Sequence, residues 1–330
     1  MSAQGADSYV AVVDVGGTTL KGALADHGAT LFLRDRRETS PDDGPEAVLE
    51  AIMCLIDDLV AEGTRRHGAR GLAGIGVAIP GPVDERRGVV LDAPNLGWSD
   101  VPLREMAVAR TGLQVFITHD VRAAASGEAV LGSARGAGDH LFVAMGTGIG
   151  AAVVIGGEPY AGTHATAGEM GHMTIDPDGP ECGCGARGHV EAYASAGGMR
   201  RRYADATGGD VIPTELLVAR AVAGDQPARR IWDQAIDALA IALADAIVLI
   251  DPGRVVIGGG LAAAGDRLFG PLRERVSRHL PFGRVPAITP AELGPEAGVR
   301  GMAVLTWRGI AQSASATTPP VAEPGVSASG

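Results

Sequence analysis

"YVAVVDVGGTTLKGALAD", residues 9–26, decides how the rest of the chain is read. An apolar, β-rich run breaks at Gly16-Gly17 and resumes, which predicts strand, glycine turn, strand. The same pattern returns downstream in "DHLFVAMGTGIGAAVVIGGEPY", residues 139–160. Two weakly similar halves, each opening on a hairpin with Gly and Thr at the bend, predict a duplicated architecture.

The segments between and after the hairpins fit that plan. "ATLFLRDRRET" predicts a third strand. Val48, Ile52, Leu55, Ile56 and Leu59 recur at helical spacing, and Cys54 reads as a small, partly buried residue of the same helix. "LAGIGVAIPGPVD" reads as a buried strand ending in a Pro-Gly-Pro turn. "VPLREMAVARTG" reads as a short helix closed by Gly112, "QVFITHD" as a strand and "VRAAASGEAVLG" as a helix. This alternation implies a layered α/β protein. After a Cys/His-rich stretch come three helical segments, the longest near 227–250, then a strand and turn in "RVVIGGGLAAAG" and a helix in "DRLFGPLRERVSRHL". The Pro/Ser/Ala-rich tail, residues 313–330, is expected to be disordered.

Composition narrows the class. At 330 residues the chain suits two domains of ordinary size. Hydrophobic residues make up 46% and charged residues 20%, enough for a sizeable core. Aromatics are only 4%, so Ala, Val, Leu and Ile must build it. A net charge of −11, from 39 acidic and 28 basic side chains, repels nucleic acid and anionic membranes. The longest apolar run is interrupted by Asp237 and Asp245, too short between charges to span a bilayer. No signal peptide is expected from "MSAQGADSYVAVVDVGG". Three cysteines form no disulfide framework, and reduced thiols in a cytosol are the easier reading. Cytoplasmic localisation follows as an expectation.

Five stretches can carry chemistry. "DVGGTTLKG" (14–22) offers backbone N–H groups at a glycine bend, hydroxyls from Thr18 and Thr19, and the Asp14 carboxylate. Clustered N–H groups make an anion-binding concavity, although a Gly-Gly-Thr hairpin is also a plain turn. "MGTGIGAA" (145–152) is a second such bend, and "VIGGGLA" (256–262) adds a third glycine turn after a strand. Three in this order are similar to the nucleotide grip of the sugar kinase and actin superfamily. Asp120, where a strand meets a helix, is either an N-cap or a general base for a sugar hydroxyl. The fifth stretch is "EMGHMTIDPDGPECGCGARGHVEAY" (169–193). Here Cys182, Cys184, His189 and His172 supply thiolate and imidazole, the ligands zinc takes in a tetrahedron, with glycines to permit tight bends. Two reduced surface thiols are the plainer alternative.

Taken together, "DVGGTTLKG", "PGPVD", "APNLGW", "HDVRAAASGE", "GTGIG", "EMGH", "CGCGARGHVEAYAS" and "VIGGGL", in that order, resemble the ROK sugar kinases of the bacterial glucokinase type. The likeness runs from Asp14 to about Arg308, and the pairing of "EMGH" with the CxC-centred motif is highly specific. The resemblance implies a two-domain actin-like ATPase (ribonuclease H-like) α/β fold with the active site in the interdomain cleft. It implies a small domain over residues 1–124, joined by a C-terminal helix at about 297–312, and a large domain over 125–296 with a zinc loop at 172–189. It further implies Asp120 as catalytic base and Gly81, Asn95, His119, Glu169, His172 and Glu191 as sugar contacts. Asp14, Gly16, Gly17, Thr18, Thr19, Lys21, Thr147 and Gly148 fall in the phosphate and magnesium region, and Gly259 and Gly260 on the adenosine side. His172, Cys182, Cys184 and His189 are the implied ligands of a structural zinc.

Two positions depart from the family. His189 stands where a third zinc cysteine is usual, and imidazole is an accepted substitute. His119 stands where Asn is usual beside the base; a neutral imidazole also donates and accepts, but it ordinarily titrates near neutrality. The expected activity is transfer of the γ-phosphate of MgATP to a hexose, glucose O6 first, with N-acetylmannosamine, N-acetylglucosamine, fructose, mannose and allose open. A sugar-responsive repressor would need an added helix-turn-helix for which the chain leaves no room before Tyr9. A non-catalytic sugar sensor and a polyphosphate-dependent kinase are the other readings. A homodimer or homotetramer is the implied assembly.

Overall fold

The computed structural model describes residues 8–68, 71–280 and 284–316. Strand β1 (Tyr9–Val15) is buried along its whole length, as a run apolar on both faces requires. It turns at the glycines into β2 (Thr19–Ala25), which is followed by β3 (Leu31–Glu38), helix α1 (Pro45–His67) and β4 (Leu72–Ile79). Short strands β5 (Val83–Asp84), β6 (Val89–Ala93) and β7 (Trp98–Val101) form a small sheet of their own. Helix α2 (Leu103–Thr111), closed by Gly112 in the left-handed region, leads to β8 (Val115–His119) and helix α3 (Asp120–Leu131).

The second half repeats the scheme with β9 (His140–Met145), β10 (Ile149–Ile155) and β11 (Glu158–Pro159). Helices α4 (Val190–Ala194), α5 (Ala196–Thr207), α6 (Thr214–Val222) and α7 (Gln226–Ile250) follow. Then come β12 (Arg254–Gly258), α8 (Asp266–His279), β13 (Ala287–Pro290) and α9 (Ala297–Ala316).

The sheet orders are β3-β2-β1-β4-β8 and β11-β10-β9-β12-β13. In each, the central strand runs antiparallel to the next strand in sequence and parallel to the one on its other side. The two sheets are therefore one topology used twice, the duplicated fold of actin-like ATPases, as the paired hairpins predict. Helix α1 covers one face of the first sheet, and α4 to α8 cover one face of the second. Helices α3 and α9 lie on the remaining faces: Ala123, Val299 and Met302 pack on the first sheet, and Val121 and Ala125 on the second. Their crossing is close because both present glycine. A Cβ on Gly301 would stand 1.6 Å from the Ala123 carbonyl oxygen. Helix α3 thus holds its first residue, Asp120, between the two sheets.

Three details differ from the sequence reading. The β5-β6-β7 sheet, β11 and β13 were not foreseen, because strands of two to five residues carry too little alternation to announce themselves. The stretch after the Cys/His loop holds four helices, since α4 is a single short turn before α5. The C-terminal helix continues to Ala316, past the expected end near 312 and into the segment expected to be disordered. Residues 317–330 of that tail lie outside the described residues. Among the described residues no helix is long and apolar enough to cross a membrane.

Candidate active site

Strand β8 delivers His119 and Asp120 to the start of α3. His119, not Asp120, occupies the N-cap position, and its side chain makes no capping bond. The Asp120 carboxylate accepts one bond from the Val121 N–H, at 2.7 Å, and keeps 30% of its side chain exposed. Burial of the carboxylate, reinforced by the charge of Asp14, pushes its pKa up to about 7; Glu169 adds to the rise, while the Val121 N–H and Arg122 oppose it. Asp14 at the end of β1, Asp120 at the start of α3 and Glu169 thus come within electrostatic reach of one another. A carboxylate that changes protonation near neutral pH suits a general base.

His119 corrects one expectation. It is buried beside Asp120, with Nε2 3.3 Å from Asp120 Oδ1. Burial, with a contribution from Arg122, holds its pKa down to about 3, so it stays neutral where an exposed imidazole would titrate.

The two glycine hairpins are built alike but equipped differently. In the first, Gly16 N–H donates to the Thr19 carbonyl, at 2.9 Å, and Thr39 Oγ1 donates to the Gly16 carbonyl, at 2.7 Å. Gly17 and Thr18 at the tip are exposed. Behind the tip, Asp14 and Lys21 face each other in the strand register and pair at 3.1 Å. Lys21 also donates to the Pro295 carbonyl just before α9, at 3.1 Å. Burial pushes the Asp14 carboxyl up, and Lys21 opposes that rise.

In the second hairpin, Gly146 N–H donates to the Gly148 carbonyl, at 2.9 Å. Two amides at the start of α5 brace it from below: Ala196 donates to Gly146, at 2.9 Å, and Gly197 to Thr147, at 3.2 Å. Gly146 and Thr147 line a cavity of about 270 Å³ with Gly260, Thr214 and Glu215 of α6, and Arg267 of α8. This is close to the lower end of ligand-pocket volumes, roughly 300–1,000 Å³. Gly259 permits the approach. It has φ 84°, and a Cβ there would meet the Met145 carbonyl oxygen at 2.2 Å. The cavity joins the second glycine bend to the third, as their order in the sequence suggests.

The Cys/His loop also closes on itself. Ligand atoms of His172, Cys182, Cys184 and His189 all lie within 4.8 Å of one another. The two Nδ1 atoms are 3.3 Å apart, Cys184 Sγ is 3.3 Å from His189 Nδ1, and Cys182 Sγ is 4.0 Å from His172 Nδ1. Ligands at about 2.0–2.3 Å from one tetrahedral ion would stand roughly 3.3–3.8 Å apart, so this donor set fits zinc. Glu191, one residue into α4, accepts from the Ile149 N–H, at 2.9 Å, and lies 3.8 Å from Cys182 Sγ. It therefore links the loop to the second hairpin.

The remaining candidates sit further out. Asn95 is exposed on a 3-10 turn after β6, and Gly81 lies at φ 88° against the Asp92 carbonyl. Sequence reasoning missed Arg122, whose guanidinium is 1% exposed and bonded on three sides. The signal was present as a charge in the run "VRAAASGEA", whose other positions are small or apolar until Glu128. Thr39, which braces the first hairpin, had no signal: a buried hydroxyl after an exposed strand looks like any loop threonine.

A duplicated sheet, a glycine hairpin at the heart of each copy, and a carboxylate on the helix between them define a protein of the actin-like sugar kinase class. The chain belongs to the ROK family, whose pattern matches residues 10–308. It is 34% identical over 307 residues to a glucokinase of Thermotoga maritima, covering 88% of this chain and 95% of that one. The solved ROK hexokinase of Thermus thermophilus is 35% identical, with a TM-score of 0.81 over 92% of this chain and 99% of the other. A ROK family glucokinase of Streptomyces griseus, solved with glucose and AMPPNP, is 30% identical, with a TM-score of 0.76 over 90% of this chain and 99% of the other.

Proposed function

We propose that the protein transfers the γ-phosphate of MgATP to a hexose hydroxyl, with glucose O6 the preferred acceptor and Asp120 the general base. The observation that carries this reading is the Asp120 carboxylate, partly exposed at the start of α3 and held near pKa 7 beside Asp14 and Glu169. The hydroxyl gives its proton to Asp120 as its oxygen bonds to the γ-phosphorus, and ADP leaves. Little covalent work falls to the protein; position and charge supply the rate. Amides of Gly17, Thr18, Thr147 and Gly148 would hold the phosphates, Asp14 would hold the magnesium that accompanies ATP, and the cavity beside Gly260 would take the adenosine. Glu169, His172, Glu191 and Asn95 hold the sugar, and neutral His119 contributes a further polar contact.

His172, Cys182, Cys184 and His189 would hold a structural zinc, which leaves no open ligand position and pins the loop carrying the sugar contacts. Thiolate ligands fit a reducing, cytosolic setting. The lobes built on the two sheets would close over the substrates about the α3–α9 crossing and exclude water. A homodimer or homotetramer is the assembly proposed with this reading.

The test is a panel of hexoses and N-acetylhexosamines assayed with MgATP and with polyphosphate, on the wild type and on Asp120→Asn. Glucose with MgATP is expected to rank first, and the variant to lose about 10³-fold in kcat with glucose binding retained. Near-normal turnover by Asp120→Asn would remove that residue from the mechanism.

A further inference from the structure

We propose that Arg122 is a positioning residue that holds Asp120 and the loops on either side of it in one working arrangement. It stands two residues past Asp120 in α3, and its guanidinium makes three hydrogen bonds to two other segments. Nε donates to Glu85 Oε1, at 2.9 Å, one terminal nitrogen to the Val83 carbonyl, at 3.3 Å, and the other to the Ala165 carbonyl, at 3.3 Å. Glu85 also accepts from Thr118 Oγ1 on β8, immediately before His119. Ala165 has φ 60°, a left-handed conformation that an L side chain rarely takes, and it lies four residues before Glu169. One planar cation thus ties the loop after β4, the strand that delivers Asp120 and the segment that delivers Glu169. A fork of five fixed donors can do this; an ammonium cannot.

The same cation acts on the base through space. The groups that face Asp120 are Asp14 from β1, Glu169 from the segment before α4, His119 from β8 and Arg122 from its own helix; of the charged ones, Arg122 alone is positive. Lys21 is engaged with Asp14. Arg122 therefore favours the ionised carboxylate against two negative neighbours and burial. Because Asp120 must be ionised to accept a proton, loss of Arg122 displaces the acid limb of the rate profile toward higher pH.

The inference rests on the reading of Asp120 as general base, so the experiment separates the two. Asp120→Asn, Arg122→Met, Arg122→Lys and Glu85→Gln are compared by the pH dependence of kcat/KM, by KM for glucose and by thermal unfolding. Arg122→Met is expected to move the acid limb upward, to lower kcat at pH 7 by about tenfold or more and to raise KM for glucose several-fold. Arg122→Lys should return the limb to its wild-type position while KM for glucose stays raised, because charge is restored and the three-way tie is not. Glu85→Gln should raise that KM with no upward move of the limb. Arg122→Met with lowered thermal stability but wild-type limb, kcat and KM would overturn the proposal. Should Arg122→Met fail to fold, Arg122→Lys with wild-type KM for glucose and wild-type kcat would overturn it equally. Retained turnover in Asp120→Asn would instead overturn the base assignment itself.

Discussion

The two glycine hairpins share a topology and almost nothing else. The β1–β2 turn has a buried acid and a lysine behind its tip, at facing positions of the register. At the equivalent facing positions behind the β9–β10 turn stand Ala144 and Gly150. That turn is instead braced by main-chain amides from α5 and by Glu191. Duplication therefore supplies two similar backbones, while the side chains divide the labour. On the proposed reading the first hairpin handles charge at the reacting end of the nucleotide, while the second is a shaped wall beside the 270 Å³ cavity. Substitutions that remove charge should hurt the first far more than the second.

The largest effect that tests this division is Asp14→Asn. The Asp14 side chain is 11% exposed and paired with Lys21. Loss of the carboxylate leaves Lys21 without its partner and would remove the proposed magnesium anchor. A fall of about 10²-fold in kcat is expected, with little change in glucose binding. Steady-state kinetics over a range of magnesium concentrations would check it, and a variant near wild-type kcat would mean that the two hairpins do not differ as argued.

The next effect is on pH. With Asp120 as the proposed base and its pKa raised to about 7, kcat/KM should rise through neutral pH and fall about tenfold for each unit below about pH 6. His119 is held near 3 by burial, so it adds no inflection between about pH 5 and pH 8. Asp14→Asn removes a negative neighbour that helps raise Asp120, and should therefore move the limb to lower pH. A limb indifferent to Asp14 would separate the first hairpin from the base.

Much of this was legible in the sequence, for identifiable reasons. The hairpins announced themselves because a buried central strand must be apolar on both faces, and a tight reversal needs glycine. The Cys/His cluster was legible because few other roles call for two thiols and two imidazoles in so short a loop. Arg122 was not, since what makes it matter is contact with Val83, Glu85 and Ala165, up to 43 positions away in the chain. Nor was the electrical state of His119, which depends on burial beneath a fold that periodicity alone does not build. The small β5-β6-β7 sheet escaped because its strands are fixed by pairing rather than by pattern.

The bracing of the second hairpin gives a smaller effect. Cys184→Ser removes one thiolate from the proposed zinc-ligand set, and Glu191 carries any loosening of that loop to the Ile149 amide. Zinc content by elemental analysis and thermal stability should fall together, the latter by about 5 °C or more, with KM for glucose rising several-fold. A chelator should reproduce the loss in the wild type. Full zinc occupancy in the variant would exclude Cys184 from the ligand set.

Thr147→Ala should have the smallest effect, and it is the sharpest probe of the comparison. Thr147 sits at the exposed tip of the second hairpin, where Thr18 sits in the first. If the second hairpin works through its backbone, the hydroxyl matters little. The Gly146 and Gly197 amides hold the turn whatever side chain is present. The loss is then no more than one solvent-accessible hydrogen bond, about 1 kcal/mol, or up to about fivefold in KM for ATP with kcat unchanged. A fall in kcat approaching that of Asp14→Asn would mean that the threonine side chain meets the phosphates in the transition state. The second hairpin would then carry chemistry of its own.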